Sequence, residues 1–552
     1  FRNMYGATLS MCGGFCQILG ITRLYIFLLA SSHASPISLV PQYRLFELQL
    51  TNTNSSAKNR FMDVWLNATF SSPSGEELPF WGFYDGGDSW RLRYMPHQVG
   101  RWSYTYSFSD GSMAGHDEFD CVAEGASPGV LQVYKKNPHW FAYNGATPVF
   151  LKSYYNKAGG FTRQDSKWAV EAFYQKLVDR GYNHHMSSGF LPVLPLSAEW
   201  DGQPMLDGPA ALNKTIYTDP ISPSTSMQLD VWRSMEAHLS FLNDHDISVD
   251  FFQGFSAQGP GCGNINFASL PKSMQEWWVF YVVARLAPFA NLAGFVFSWE
   301  TGGDGQDLHL ARLLREMDPF NHLITYESAD QHGNNHFNLT EWSFGSVEAY
   351  GAVQQHHNIS LTGYRGKPVF MAEGHMLWHS FWMAPEQQVV SAAWAVTTAA
   401  ASFSWNDMGQ ARITGPYKAS QAFSTSPSAS KAIDILANIM ANHTVFHKLV
   451  PADELLGSNP PPLTFCMAEK GLQYVVYSDS GQGFSLDTRP GGGRNWNHDD
   501  THYSVTWFDA VEGTSRRGDV VAAGVVRLSP PSKNTHWVGL LKVIGSMPQQ
   551  KL

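Results

Sequence analysis

Two glutamates end short apolar runs that suit β-strands: Glu300 in Phe-Val-Phe-Ser-Trp-Glu-Thr and Glu373 in Pro-Val-Phe-Met-Ala-Glu-Gly. A carboxylate at the exit of a hydrophobic strand is poorly solvated, and two that face each other repel, so one pKa rises while the other carboxyl stays ionised. Cleavage of a glycosidic bond uses that asymmetry. A carboxylic acid protonates the leaving oxygen while a carboxylate on the other face attacks the anomeric carbon, the pair standing about 5 to 5.5 Å apart when configuration is retained. Read singly, each glutamate is equally a salt-bridge partner or a cap. The chemistry depends on whether the chain brings both to one pocket.

Other residues near the ends of apolar runs could hold a sugar. Glu327 could bind a hydroxyl or pair with a base, and Glu348, two residues before Tyr350, would point the same way as that tyrosine in a strand. Trp200, Trp378 and Trp405 could form platforms for the apolar face of a pyranose, with ordinary packing as the competing role. His184-His185, and His375 with His379, invite a zinc reading, but the second pair reads His-Met-Leu-Trp-His and lacks the glutamate that zinc-binding helices carry between their histidines. No metal and no cofactor is expected. Two nucleophile alternatives fail: no Gly-x-Ser-x-Gly elbow occurs, and Cys262 in Gly-Pro-Gly-Cys-Gly has no base signalled nearby.

The elements that must position these residues follow from periodicity. From Pro148 onward, eight short apolar runs read as strands: Pro148–Leu151, His184–Ser187, Val249–Gln253, Gly294–Trp299, Leu323–Glu327, Ser346–Tyr350, Pro368–Glu373 and Ala401–Asn406. Amphipathic helical stretches lie between many of them, the first able to end at Gly181. From Glu300 to Glu327 is 27 residues, on to Tyr350 is 23 and on to Glu373 another 23, each one βα unit. The spacing predicts a (β/α)8 barrel, whose chemistry sits at the C-terminal strand ends. A doubly wound open sheet is the alternative, but no Gly-rich nucleotide loop follows any strand. Glu300 and Glu373 then end strands four and seven.

Before the barrel, the period is two. Val64, Leu66, Ala68 and Phe70 share one strand face and Trp102, Tyr104, Tyr106 and Phe108 another, which reads as a β-sandwich. After Pro451 the period returns to two, with Tyr474–Tyr477, Tyr503–Trp507 and Trp537–Val543 as strands of a small C-terminal β domain. The expected fold is therefore multidomain, α/β plus all-β: leader 1–34, N-terminal β-sandwich 35–137, central TIM barrel 138–450 and a C-terminal β-sandwich 451–552.

Composition narrows the partners. The net charge is -10 and only 15% of residues are charged, which makes nucleic acid and anionic membrane poor partners. Arg23, the apolar run Leu24–Ala30 and the small residues of Ser32-His33-Ala34 read as a signal peptide. Asn-x-Ser/Thr sequons stand at Asn54, Asn67, Asn213, Asn338, Asn358 and Asn442, as in a glycoprotein that is secreted or held in the lumen of the secretory pathway.

The segments Gly82-Phe83-Tyr84-Asp85-Gly86-Gly87, Trp90-Arg91-Leu92-Arg93-Tyr94-Met95-Pro96 and Gly100-Arg101-Trp102-Ser103-Tyr104, followed by Asn137-Pro138-His139-Trp140-Phe141, carry a resemblance over most of the chain. The chain resembles the clan of retaining barrel glycosidases with catalytic glutamates after strands four and seven, particularly its apiosidase-like branch with an N-terminal β-sandwich. The resemblance implies a glycosidase acting on a poly- or oligosaccharide, with Glu300 as acid/base, Glu373 as nucleophile and Tyr350 as the ring whose hydroxyl steadies the nucleophile or caps the barrel mouth. Many clan members place Asn before the acid/base to hold the sugar 2-hydroxyl. This chain has Trp299 there, so Asn156 or His184 is expected to take that task. Two rivals stand beside this reading: a polysaccharide lyase using Lys152, His184 and Tyr350, and a carbohydrate-binding protein that kept the barrel without its chemistry.

Overall fold

The computed structural model describes residues 38–54, 56–157, 167–188, 229–252, 272–297, 306–328, 337–349, 352–374, 386–405, 423, 426–489 and 501–544. The expected signal peptide lies outside them.

Eight parallel strands form the centre: Ser153–Lys157, His184–Ser188, Ser248–Phe252, Leu292–Val296, Leu323–Thr325 resumed after Tyr326 as Glu327–Ser328, Gly345–Ala349, Val369–Gly374 and Ser402–Trp405. They are called barrel strands one to eight below. Strand one pairs with strand eight as well as strand two, and strand five pairs with strand four before Tyr326 and with strand six after it, so the sheet closes on itself. Helices Lys167–Asp179, Leu229–Asp244, Lys272–Leu286, Gln306–Met317, Val353–Gly363 and Glu386–Thr398 alternate with the strands. Gly181, at φ 65°, turns the chain out of the first of them.

Strand one departs from expectation. The run Pro148–Leu151 does not enter the barrel: Thr147–Val149 pairs antiparallel with Phe141–Tyr143, turning through Asn144 and Gly145, both at positive φ. With Leu131–Val133 this hairpin makes a three-stranded plug. Leu131, Phe141 and Leu151 share a buried cluster with Tyr155, Met186, Leu323, Phe344 and Phe370, so the apolar character that suggested a barrel strand instead seals the barrel.

Ahead of the plug, two sheets pack face to face, antiparallel except where the edge strand Ser38–Pro41 runs parallel to Ala114–Val122. One contains Ser38–Pro41, Ala114–Val122, Gly100–Phe108, Leu66–Ser71 and Glu77–Trp81, the other Phe46–Thr51, Ser89–Tyr94 and Phe83–Tyr84. Phe46 stacks on Phe119 at 4.4 Å and Phe70 on Tyr94 at 4.0 Å across the gap. The alternation in sequence is the pleat of these strands: Val64, Leu66, Ala68 and Phe70 are all buried, as are Trp102, Tyr104 and Phe108, while Tyr106 is half-buried.

A buried ion cluster joins these sheets to the barrel helices. Arg285, on Lys272–Leu286, is fully buried; it donates to Glu236 on Leu229–Asp244 at 2.5 Å and stands 3.1 Å from Asp85. Arg93 donates to the other Glu236 oxygen at 2.9 Å, to Glu47 at 2.7 Å and to the Arg285 carbonyl at 2.8 Å. Both guanidiniums lie over the Phe83 ring. Gly82 lets this strand in, since a Cβ there would meet Arg91 O and Leu66 Cδ2 at 2.4 Å. Arg101, in the same stretch of sequence, instead pairs with Glu118 and Asp120 on the solvent side.

After the barrel, Val450–Pro451, Thr464–Glu469, Gln473–Ser478, Trp537–Ile544, His502–Asp509 and Ser515–Ala522 form a six-stranded sheet, with Phe484–Asp487 and Val525–Leu528 as a separate ribbon. His357 anchors this sheet to the helices: Nδ1 lies 2.6 Å from the Ala395 carbonyl and Nε2 2.6 Å from Asp453. Asn137 and Trp140 donate to the carbonyls of His447 and Leu449, tying the loop between the first two plug strands to the chain just beyond a further helix, Pro427–His443.

Burial pushes the Glu236 carboxyl up, but Arg285 and Arg93 outweigh it and hold its pKa at about 2. The stabilisation from this charge is complete above the ordinary Glu range near ~4.3 and is lost as the pH falls through that range toward 2. Glu236→Gln is expected to destabilise the protein by about 3–5 kcal/mol at pH 7, because it leaves two buried guanidiniums short of charge. The gap to wild type should narrow below pH 4. Thermal unfolding of both proteins at pH 7 and pH 3 checks this, and an equal gap at both would show that the carboxylate charge is not what matters.

Candidate active site at the barrel mouth

Alternate side chains of each barrel strand enter the barrel, and its lower interior is crossed by a polar chain. Ser153 pairs in register with His184 and Ser404. Its hydroxyl donates to Ser404 Oγ at 3.0 Å, leaving its lone pair for His184 Nδ1 at 2.8 Å, and His184 Nε2 stands 3.4 Å from Asp250. The chain thus runs through strands eight, one, two and three. His184 rests edge-on against Phe370 and is 2% exposed. Expected to hold a sugar hydroxyl, it is instead the first residue of strand two, with both ring nitrogens facing protein groups. His185 faces the opposite side of the strand, among Phe173 and Tyr174, and burial lowers its pKa to about 3. The two neighbours therefore cannot converge on one ion.

Trp405 is also core. It is fully buried between barrel and helices, with its indole N–H on the Tyr182 hydroxyl at 2.8 Å and the Tyr154 ring at 5.8 Å. Its register partner Tyr154 lies on the same outward face, while Ser404 points in; a strand residue one step along always changes face.

Two barrel ladders carry an extra residue. Opposite strand three, Val249 pairs with Leu292 and Asp250 with Gly294, so Ala293 is unmatched. Opposite strand six, Val347 pairs with Met371 and Glu348 with Glu373, so Ala372 is unmatched. These bulges fall in strands four and seven, and Glu373 directly follows the second. A bulge re-aims the residues that follow it and is over-represented beside active sites. Each also sets a buried acid at the shift: Asp250 is 3% exposed and Glu348 1% exposed. At Gly294 a Cβ would stand 2.7 Å from the Leu323 carbonyl, so a side chain there would force strands four and five apart.

Glu373 is the penultimate residue of strand seven, Asn156 of strand one, and Glu327 opens the resumed part of strand five; these three are described through their backbone. Strand four ends at Val296, and Phe297 N extends its ladder to the Thr325 carbonyl. Glu300, Trp299, Trp200, Tyr350, Trp378, His375, His379 and Cys262 lie outside the described residues. The structure thus brings Glu348 and Glu373 side by side on neighbouring strands. The residues that sequence reasoning missed are Asp250, Ser153 and Ser404. An aspartate in the otherwise apolar Ser-Val-Asp-Phe-Phe was the available signal.

Lys152, the cation of the lyase rival, precedes strand one and so lies at the N-terminal end of the barrel. Its ammonium pairs with Asp434 at 2.7 Å and sits 4.4 Å from the Tyr182 ring centre. Burial lowers its pKa, and Asp434 partly offsets this. The C-terminal strand ends are at the other mouth. Among the described residues, no helix is long and apolar enough to cross a membrane.

Residues 39–109 match a family described as "Domain of unknown function (DUF5060)", a span that contains the Asp85, Arg91 and Arg93 segments. No curated protein matches the chain. Among solved structures, the chain is similar to a Bacteroides vulgatus ATCC 8482 protein described as a candidate glycoside hydrolase, at 17% identity and TM-score 0.66 over 92% of this chain and 100% of that one. It is similar also to a glycoside hydrolase at 14% identity and TM-score 0.57, over 75% of this chain and 97% of that one. A third likeness is to a glycoside hydrolase family 5 structure from Bacteroides vulgatus ATCC 8482, at 15% identity and TM-score 0.56, over 75% and 93%. At these identities the likeness is one of fold: a closed eight-stranded parallel barrel with added antiparallel sheets, shared with glycoside hydrolases.

Proposed function

We propose that the chain is a secreted glycoside hydrolase that cleaves O-glycosidic bonds of a poly- or oligosaccharide with retention, using Glu300 as acid/base and Glu373 as nucleophile. The observation that carries this reading is the register of strands six and seven. There a bulge at Ala372 sets Glu373 beside the buried Glu348, at the C-terminal end of a barrel whose fold is shared with glycoside hydrolases. A matching bulge in strand four, before Glu300, supports the same assignment on the other side of the mouth.

In this mechanism Glu300 protonates the glycosidic oxygen as Glu373 attacks the anomeric carbon, giving a glycosyl ester; water activated by Glu300 then cleaves the ester and restores both groups. An ionised Glu348 beside Glu373 would raise the proton affinity of the nucleophile by like-charge repulsion. With His184 held in the barrel interior, Asn156, near the end of strand one, is the group proposed to reach the sugar 2-hydroxyl, and Tyr350 the one that steadies the nucleophile. Glu327, Trp200 and Trp378 remain proposed sugar contacts at the mouth. The 35–137 β-sandwich and the 451–552 β-sandwich flank the barrel as supporting domains, and the lyase rival loses its cation to the far end of the barrel.

Glu373→Gln is expected to remove nearly all turnover with an unchanged melting temperature, and Glu300→Gln to keep turnover on substrates with a good leaving group. Anomeric NMR of the first product formed should show the configuration of the substrate; the opposite anomer would mean inversion, and an unsaturated product absorbing in the ultraviolet would mean a lyase.

Glu348→Gln removes a negative charge beside the nucleophile. The nucleophile's pKa should fall, and the acidic limb of the kcat/KM profile should move to lower pH, since ionised enzyme then persists further into acid. A limb that stays in place, or moves up, would separate Glu348 from the reacting carboxylate.

A further inference from the structure

The outer face of the five-stranded N-terminal sheet carries a motif that the barrel chemistry does not use. Asn67-Ala68-Thr69 is a sequon within the strand Leu66–Ser71, so Asn67 and Thr69 lie on the same face. Trp65 lies two residues before Asn67 and extends the ladder: its N–H donates to the Ser109 hydroxyl and its carbonyl accepts from Ser109 N, both at 2.9 Å. The three residues therefore form a row of ring, amide and hydroxyl. Asn67 is exposed, has no side-chain hydrogen bond among the described residues, and pairs in register with Trp81 on one side and Ser107 on the other. Trp65 and Trp81 are both half-buried and both held by Phe280, Trp65 edge-on and Trp81 stacked, each at 4.5 Å. On the other flank, an open hollow of about 490 Å³ is lined by Asn67, Thr69, Thr105, Ser107 and His116.

The remaining described sequons lack this setting. The Asn54 amide donates to Asp110 at 3.1 Å, and the Asn442 amide donates to Asn438 at 2.8 Å. Asn358 lies within a helix, and the hydroxyl of its Ser360 is buried on the His356 carbonyl. Asn338 is exposed but has His336, not a large ring, two residues before it.

We infer that Asn67 is an N-glycosylation site whose first sugar is seated against the Trp65 ring. The step is a glycosyl transfer from a lipid diphosphate-linked oligosaccharide. The Asn67 amide nitrogen bonds to the anomeric carbon, the bond from that carbon to the diphosphate oxygen breaks, and the amide proton leaves as the lipid diphosphate departs. The apolar face of the attached sugar covers the indole, and the hydroxyls at the rim of the hollow meet its polar edge. This site rests on the secretory reading above and is independent of the barrel chemistry.

The test is to secrete the full chain from a eukaryotic host behind the host's own leader, so that routing does not depend on residues 1–34. Glycopeptide mass spectrometry should find Asn67 occupied, and Thr69→Ala should abolish that occupancy. Release of the Asn67 glycan from the native protein by peptide N-glycanase should be at least about tenfold slower than from Trp65→Ala, a difference of about 1.4 kcal/mol in seating. Trp65→Phe, which keeps a ring for the sugar to cover, should restore slow release. Bare Asn67 in the secreted protein, or equal release from all three proteins, would overturn the inference. Failure of export with the chain's own leader would count against the secretory reading alone.

Discussion

A guanidinium with no exposed surface must find all its charge and hydrogen-bond partners within the protein, and the position of Arg285 depends on three separate parts of the chain meeting around it. Glu236 comes from the helix after strand two, Asp85 and Arg93 from the N-terminal sheets, and the Phe83 ring lies beneath. Such a cluster adds little to net stability compared with a well-packed apolar substitute, but it punishes misalignment severely, because each unpaired charge is left in a poor solvent. It therefore fixes the orientation of the N-terminal sheets on the barrel. Within the N-terminal sheets the chain leading to Asp85 is itself tightly held, since one added methyl at Gly82 would collide with the Arg91 carbonyl and the Leu66 side chain.

The same logic operates at a smaller scale inside the barrel. Ser404, Ser153, His184 and Asp250 satisfy one another across four strands, and this sets the strand register from within. Against that fixed lower layer, one extra alanine in strand four and one in strand seven change which residues stand opposite each other higher up. Large apolar residues below and bulges above divide the barrel into a part that holds shape and a part that can be aimed.

Much of this was legible in the sequence because period two survives where a strand has a single buried face, as in the N-terminal sheets, and because short continuous apolar runs at regular βα spacing mark strands buried on both faces. The strands at Val249, Leu323, Ser346 and Val369 appear where the apolar runs predicted them. Pro148–Leu151 misled because a plug strand and a barrel strand bury equally apolar residues, and only the Asn144-Gly145 turn told them apart. Trp405 misled because nearness to a strand end does not reveal which face of the strand a residue occupies, and His184 because it opens its strand, at the end away from the C-terminal mouth. The bulges could not be read at all, since an unmatched alanine in an apolar strand looks like any other. The ion cluster was not legible: Arg93 stood in one of the segments that carry the resemblance, but its partner Glu236 is more than a hundred residues away in sequence.

Strand five bears on how the closed sheet responds to load. Leu323, Ile324 and Thr325 have ladder partners only on strand four, and Glu327 and Ser328 only on strand six, whereas Ser153 and Tyr154 are laddered on both sides. Across the step, one backbone bond from Ser343 N to the Ile324 carbonyl, with Ile324 N on the Ser343 hydroxyl and the Thr325 hydroxyl on the Phe344 carbonyl, takes the place of a continuous ladder. A ring behaves like a hoop with a lap joint there. If the mouth widens, the displacement concentrates where the fewest backbone bonds must stretch, and amide hydrogens on both sides of Tyr326 are the first that such breathing exposes to exchange.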